Sequence, residues 1–357
     1  MFIERYIIIG IVLFIIFLFK KTYNSIQPTV HPHEHEITVF AIPSVEPMDW
    51  ESPSSLYKSA LKCYLKSSYQ RTYYIIGHMS AMISSPLLES VIYAGMTGAS
   101  QIEKVQQVIL KRAGMGVFGT TLKGKMEPVE KMKKTISFYG RRNKVAFMRF
   151  KVNEDAIKRV IQFIGYFKNK NELGYAPCEY YNGALNPRYK YEGAACSSFI
   201  IALMQVAGIL PPNAPQDWAV NLKIPMHLIG GKLNANKRIS LKSIMQTKAW
   251  HDGSGLEGVD YASLELYDPA MVFDWVQKQR AQEDSAYAIE NDGVFNGVYK
   301  DLSTISFAQN NAVLQTRNEV SFFVKNFLNT HLNGHLKSQS KGLLEVMPKT
   351  ASIPLNS

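Results

Sequence analysis

The sequence predicts an α+β fold, because strand-like and helix-like stretches occur in segregated groups rather than in strict alternation. Residues 72–83 (TYYIIGHMSAMI) and 145–152 (VAFMRFKV) are rich in aromatic and β-branched residues, which is typical of strands. Residues 101–112 and 154–167 carry apolar residues at helical spacing. With 46% hydrophobic and 19% charged residues in a chain of 357, wholesale disorder, collagen and a membrane protein of many spans are excluded.

The remaining elements follow from shorter patterns. Residues 54–65 predict a helix, and residues 196–209 predict a strongly apolar helix that ends at Gly208, before two prolines. Residues 262–267 (ASLELY) predict a strand. Apolar residues between 320 and 328 recur at helical spacing and predict an amphipathic helix. Residues 301–357 are therefore expected to form a helical extension followed by a polar tail.

The N-terminal segment predicts a membrane anchor. Residues 6–19 (YIIIGIVLFIIFLF) contain no charge, and the stems of Arg5 and Lys20 extend the apolar length to about twenty residues. No small-x-small cleavage site follows, so residues 1–21 are expected to be an uncleaved signal anchor that crosses the membrane once. Residues 22–50 are predicted to be a linker. Its HPHEHE run (31–36) leaves weak metal binding open, but favours a solvated segment.

The charge balance favours anionic partners. The chain has 40 Lys+Arg against 29 Asp+Glu, a net charge of +11. Residues 123–144 hold eight basic and two acidic residues, from Lys123 to Lys144. This run is either a solvated surface or a patch for anionic lipid or cell-wall polymer. Few aromatic residues are interleaved with it, so no nucleic acid is expected.

Several familiar motifs fail on their context. Gly114, Gly116 and Gly119 spell GxGxxG, but a predicted helix precedes them where a dinucleotide fold needs a strand. The near P-loop at 119–126 ends in Met126, which has no hydroxyl for magnesium. No metal and no organic cofactor are therefore expected.

Cys196 has the sequence context of a nucleophile. It follows three small residues, 193–195, and opens the apolar helix. The positive end of the helix dipole favours a thiolate there, and backbone N–H groups can face an oxyanion. A small buried core cysteine is the alternative. A thiol catalyst also needs a base, and His78 is the preferred histidine because it lies in a predicted strand directly after Gly77. His227 and His251 are competing candidates, and a structural core histidine is the alternative role for His78.

These two segments resemble the NlpC-type branch of the papain-like superfamily. Residues 195–199 (ACSSF) match its Cys-Ser-x-Phe/Leu helix start, and Gly77-His78 match its Gly-His dipeptide. The histidine precedes the cysteine, an order that resembles the circularly permuted members, which include bacterial lipid- or amide-cleaving enzymes and lecithin retinol acyltransferase. The resemblance covers about 73–98 and 174–211, and implies an antiparallel sheet with a nucleophile helix packed on it, within residues 51–300.

The resemblance also implies further site residues. A third polar residue should orient the histidine, and Glu89 is the nearest candidate, with Ser80 and Ser84 as weaker ones. Asn182 and Tyr191 are expected to line the substrate site, or else merely to cover the helix end. Ser197, beside the nucleophile, is expected to contact substrate.

The sequence therefore predicts a membrane-anchored cysteine hydrolase or acyltransferase. It would cleave an amide or ester in a cell-envelope peptide or lipid through Cys196 and His78. The expected location is the inner membrane with the body in the periplasm, although the slight lysine excess after the apolar run favours a cytoplasmic body. The rival hypotheses are a catalytically silent binding module on the same fold and a scaffold subunit of an envelope complex.

Overall fold

The computed structural model describes residues 25–100, 103, 106–308 and 311–331. The predicted anchor at 1–21 and the residues after 331 lie outside these ranges. Within them, no helix combines the length and the apolar character that crossing a membrane requires.

A six-stranded mixed sheet forms the centre of the molecule. Its strand order is β10-β11-β6-β1-β2-β3. Neighbouring strands are antiparallel, except that β11 runs parallel to β6. The strands are β1 (Glu36–Ser44), β2 (Ile76–Ser84), β3 (Ile92–Ala94), β6 (Ala146–Lys151), β10 (Ala288–Asp292) and β11 (Phe295–Asp301).

Two smaller sheets and eight helices complete the described fold. One small sheet has the order β4-β5-β7, and the other is the antiparallel pair β8-β9. These strands are β4 (Met96–Gly98), β5 (Leu122–Met126), β7 (Tyr180–Tyr181), β8 (Ala219–Pro225) and β9 (Tyr261–Tyr267). The α-helices are α1 (Pro53–Tyr69), α2 (Val129–Gly140), α3 (Glu154–Lys168), α4 (Cys196–Val206), α5 (Ala214–Asp217), α6 (Leu241–Gln246), α7 (Pro269–Ala281) and α8 (Phe322–His331).

The central sheet is covered on both faces. Alternate residues of β1 enter different cores, because successive side chains of a strand point to opposite faces. Val39 and Ala41 lie in the core formed with α3, α4 and α7, whereas Phe40 and Ile42 lie in the core formed with α2. A third core joins the β8-β9 pair to α1 and α6. The α+β class predicted from the sequence is thus the observed one.

The predicted linker at 22–50 is wrong for residues 36–44. These residues form β1, which lies between β6 and β2 near the middle of the sheet. Residues 37–42 are at most 1% exposed. A strand buried on both faces appears as a continuous apolar run without alternation, which is why the pattern was not recognised. The body of the protein therefore begins well before residue 51.

Other predicted elements differ from the observed ones in their ends or in their type of helix. The predicted strand at 72–83 begins only at Ile76, because Tyr73 and Tyr74 N–H groups donate to Tyr139 Oη, at 3.0 Å each, instead of joining the sheet. Within the predicted helix at 101–112, the described part contains a π-helical turn at Gln106–Leu110. The strands β10 and β11 were not predicted.

Candidate active site

His78 lies on β2, on the face covered by α2. It pairs across the sheet with Ile42, and directly opposed residues project to the same face. β3 pairs with β2 only at residues 81–83, so the end of β2 that carries His78 extends beyond that neighbour. The residue is 3% exposed. The strand thus holds the imidazole rigidly at the margin of the sheet.

Gly77 sets the backbone that delivers His78. Its φ of +77° lies in the left-handed region that favours glycine. A Cβ at this position would also lie 3.0 Å from Ile42 O and 3.1 Å from Pro269 Cβ. The Gly-His pair in the sequence therefore has a steric cause.

Glu127 is the acidic partner of His78. It directly follows β5 and precedes α2, and its backbone N–H donates to Gly95 O at 2.8 Å. Its Oε2 lies 2.7 Å from His78 Nε2, and its side chain has no solvent exposure. This short contact pairs the imidazole with the carboxylate. It leaves Nδ1 as the ring nitrogen available to a nucleophile.

Tyr74 and Lys131 complete the surroundings of the carboxylate. Tyr74 Oη donates to Glu127 Oε1 at 2.7 Å, and Lys131 Nζ donates to the same oxygen at 2.6 Å. The Tyr74 ring also stacks on the His78 ring, with centroids 3.9 Å apart and planes at 8°. Tyr74 therefore fixes both the histidine and its acid.

Cys196 is the first residue of α4 and contacts His78. The packing of α4 against the sheet brings its N-terminus to the end of β2. Cys196 is 9% exposed, and its side chain forms a hydrogen bond with that of His78. Ser198 Oγ accepts from Ala195 N–H at 2.9 Å, which satisfies a backbone donor at the helix start. Cys196, His78 and Glu127 thus form a continuous chain of contacts.

The charges of this chain reinforce one another. Burial alone would lower the pKa of His78, but the interactions with Cys196 and Glu127 raise it to about 9. Burial alone would raise the pKa of Glu127, but His78 and Lys131 bring it down to about 2. At neutral pH the arrangement therefore favours the charged forms of both His78 and Glu127.

Tyr181 also contacts the cysteine. Its hydroxyl forms hydrogen bonds both with the Cys196 side chain and with the Cys196 backbone. As a hydroxyl it can donate to the sulfur and accept from the backbone N–H. Burial, followed by the interaction with Cys196, holds the pKa of Tyr181 well above its usual range, so the hydroxyl keeps its proton. A phenol and a backbone N–H thus converge beside the nucleophile.

The structure does not bring Glu89 to the histidine. Glu89 is exposed in the turn after β2, close to the strand end opposite His78, and Glu127 takes the place expected for it. The choice of Glu89 depended on nearness in sequence to His78. The acid instead comes from the β5–α2 junction, 49 residues further along the chain.

The expected substrate-lining residues have structural partners. Asn182 is 1% exposed, and its Nδ2 donates to Gly119 O at 2.8 Å while its Oδ1 accepts from Ala184 N–H. Tyr191 Oη donates to Glu172 Oε1 at 2.5 Å. These contacts favour the alternative that both residues hold the loop before α4. Ser197 lies buried in the first turn of α4, next to the nucleophile.

Glu127, Tyr74 and Tyr181 are site residues that were not predicted from the sequence. Glu127 lies inside the basic run, where it looks like one solvated charge among lysines. Its position before Pro128 and a helix was a weak signal of a fixed side chain. Tyr74 lies within the predicted strand segment, and Tyr181 in the loop before Cys196, so both were near the right places but were not assigned a role.

Two further observations bear on the site. Among the described residues, no group of three or more His, Cys, Asp or Glu side chains is arranged to hold a metal ion. Comparison of the chain with protein-family models, with curated proteins and with solved structures finds no match.

Proposed function

We propose that the protein is a papain-like thiol hydrolase or acyltransferase in which Cys196 is the nucleophile. The observation that carries the proposal is the buried chain of contacts Cys196–His78–Glu127, with Tyr181 beside the sulfur. A nucleophile, a base in contact with it and an acid that orients the base are what acyl transfer requires. The order His78, Glu127, Cys196 along the chain supports the circularly permuted arrangement.

The chemistry follows from the protonation states. His78 holds the proton of the Cys196 thiol, and the thiolate attacks the carbonyl carbon of an amide or ester. The Cys196 N–H and the Tyr181 hydroxyl stabilise the oxyanion. The intermediate collapses when His78 gives its proton to the leaving nitrogen or oxygen, which leaves a thioester on Cys196. Water or another acceptor then loses a proton to His78 and releases the acyl group.

The substrate class proposed is a peptide amide or lipid ester of the cell envelope, reached from the inner membrane. The apolar run at 6–19 supports a membrane location, and the net charge of +11 supports an anionic environment. The mechanism proposed for Cys196 depends only on the contacts within the site, and not on the apolar run or on the net charge.

Acylation of Cys196 is the direct test. The full chain is incubated with activated acyl esters and with peptidyl amides, and Cys196 is examined by peptide mass spectrometry after acid quenching. We expect a hydroxylamine-sensitive acyl adduct on Cys196 that is absent from Cys196→Ser. Cys178→Ser is the matched control. Burial raises the pKa of the Cys178 thiol, so this thiol is not expected to react, and its removal should leave acylation of Cys196 unchanged.

A catalytically silent binding module remains the second candidate, and one observation favours it. Cys196 is only 9% exposed, and the Tyr181 hydroxyl already bonds both its side chain and its backbone, where an oxyanion would lie. Such a module would show no adduct with any ester or amide. It would also leave Cys196 unalkylated by iodoacetamide at about pH 6 in the native state, whereas a thiolate there should react faster than Cys63 or Cys178.

A further inference from the structure

The described chain begins against α2. Ile26 N–H donates to Ser137 Oγ at 3.0 Å, and Gln27 Nε2 donates to Lys133 O at 3.0 Å. Tyr93 Oη donates to Gln27 Oε1 at 3.3 Å, which fixes this segment between α2 and β3. The chain therefore enters the described fold at the flank of α2, a helix that lies within the basic run 123–144.

The apolar run ends close to this point in sequence. Its last residue, Phe19, is six residues before Ser25. Even a fully extended chain spans only 3.3–3.6 Å per residue, so these residues reach at most about 20 Å. If residues 6–19 lie in a bilayer, Ile26, where the chain contacts α2, lies within about 25 Å of Phe19.

The surface at the C-terminal end of α2 and in the turn after it is basic. Residues 129–144 contain six Lys or Arg and one acidic residue, Glu130. The Arg142 and Arg71 guanidinium groups lie over the Phe138 ring, 3.7 and 5.7 Å from its centroid. We define the α2 basic face by its exposed members, which are Arg71, Lys134, Arg141, Arg142 and Lys144.

We infer that the α2 basic face docks on the headgroups of an anionic phospholipid bilayer, into which residues 6–19 tether the same chain. Basic side chains near an anionic surface are attracted to it, and salt screens the attraction. A bilayer is favoured over a soluble polyanion because the tether enters the fold beside this face. The inference does not depend on the chemistry of Cys196.

The test uses the full chain in lipid nanodiscs, either zwitterionic or containing phosphatidylglycerol. An amine-acetylating reagent is added, and acetylation of Lys144 is measured by mass spectrometry relative to exposed Lys278. At low salt we expect anionic discs to slow Lys144 acetylation at least about threefold, and high salt to restore it. The variant Lys134→Gln/Arg141→Gln/Arg142→Gln should lose most of this protection. The matched control is Lys237→Gln/Arg238→Gln/Lys242→Gln, which removes equal charge elsewhere and should keep it.

Three outcomes would overturn the inference. Equal acetylation of Lys144 in both kinds of disc would show that anionic lipid does not contact the face. Protection that survives in the α2 variant would assign the contact to another surface. Stronger protection by a soluble anionic polymer in zwitterionic discs would identify a polymer as the partner.

Discussion

At the scale of single residues, Glu127 is the acidic side chain that is paired with His78. It has no solvent exposure and lies 2.7 Å from His78 Nε2. Removing a buried charge next to an imidazolium leaves the imidazolium without its partner, which is costly where water cannot compensate. Glu127 does not reach the reacting atoms itself, so we regard it as a positioning residue.

Replacing Glu127 with Gln should slow acylation of Cys196 by roughly a hundredfold and lower the pKa of His78. Gln keeps the shape and still offers an oxygen to Tyr74. The rate is measured with an activated ester, and the pKa by NMR titration of the histidine. Glu89→Gln is the control and should change neither quantity. Equal effects of the two substitutions would contradict the assignment of Glu127.

The pH dependence follows from the direction of the His78 shift. The pKa of His78 is raised from 6.5 to about 9, so the imidazolium, which is the proton donor of the proposed mechanism, persists to about pH 9. Its contribution to stability is complete below pH 6.5 and is lost as pH rises through about 9. Glu127, with its pKa lowered to about 2, stays charged throughout.

Acylation should therefore fall as pH rises through about 9, and the Glu127→Gln variant should show this fall at lower pH. Rates measured from pH 5 to 11 with an ester of pH-independent reactivity would show it. A rate that continues to rise beyond pH 9, as expected for an isolated thiol, would mean that the imidazolium takes no part.

At the scale of elements, the site depends on how β2 and α4 meet. The helix start at Cys196 was predictable because small residues precede an apolar run, and α4 does begin there. The position of β1 was not recognised, because both faces of the sheet are covered and its sequence shows no alternation. The β5–α2 junction carries no periodic signal, so only the tertiary fold brings Glu127 to His78.

Gly77 offers a test of the β2 backbone. Gly77→Ala should lower the free energy of unfolding by about 1–2 kcal/mol, because φ is positive and the new Cβ meets Ile42 O. It should also slow acylation, since His78 follows directly. Denaturant titration and the ester assay measure the two effects.

Gly165→Ala is the matched control. Gly165 lies inside α3, and a Cβ there meets nothing within 4 Å. The substitution should raise the free energy of unfolding by about 0.5–1 kcal/mol and leave acylation unchanged. If Gly77→Ala were as stable as the original protein, neither the positive φ nor the contact with Ile42 O would require a glycine at position 77.

At the scale of the whole molecule, the C-terminal segment holds the loop that presents Cys196. Arg317 Nη2 donates to Glu192 Oε2 at 3.0 Å across 125 residues of chain. Phe323 of α8 packs so tightly on Gly119 that a Cβ there would overlap its ring. Residues 311–331 therefore belong to the folded body. The sequence placed them in a C-terminal extension and tail at 301–357, because composition does not show which part of that range packs on the body.

The Arg317–Glu192 pair provides the last prediction. Glu192 has 2% of its side chain exposed and lies four residues before Cys196. Loss of Arg317 would leave this buried carboxylate with the Asn186 N–H as its one hydrogen-bond donor among the described residues. Arg317→Ala should lower the free energy of unfolding by about 3–5 kcal/mol. Burial raises the pKa of Glu192 and Arg317 opposes that rise, so the variant should take up a proton there at higher pH.

Adding Glu192→Gln to Arg317→Ala should recover part of the lost stability, because a neutral amide costs less to bury than an unpaired charge. The four proteins of this double-mutant cycle are compared by denaturant titration, and their Cys196 acylation rates are measured under native conditions. If the loop positions the nucleophile, acylation should fall in Arg317→Ala and recover with stability in the double variant. If Arg317→Ala lost the full expected stability but acylated Cys196 at the original rate, the pair would stabilise the fold without positioning the nucleophile.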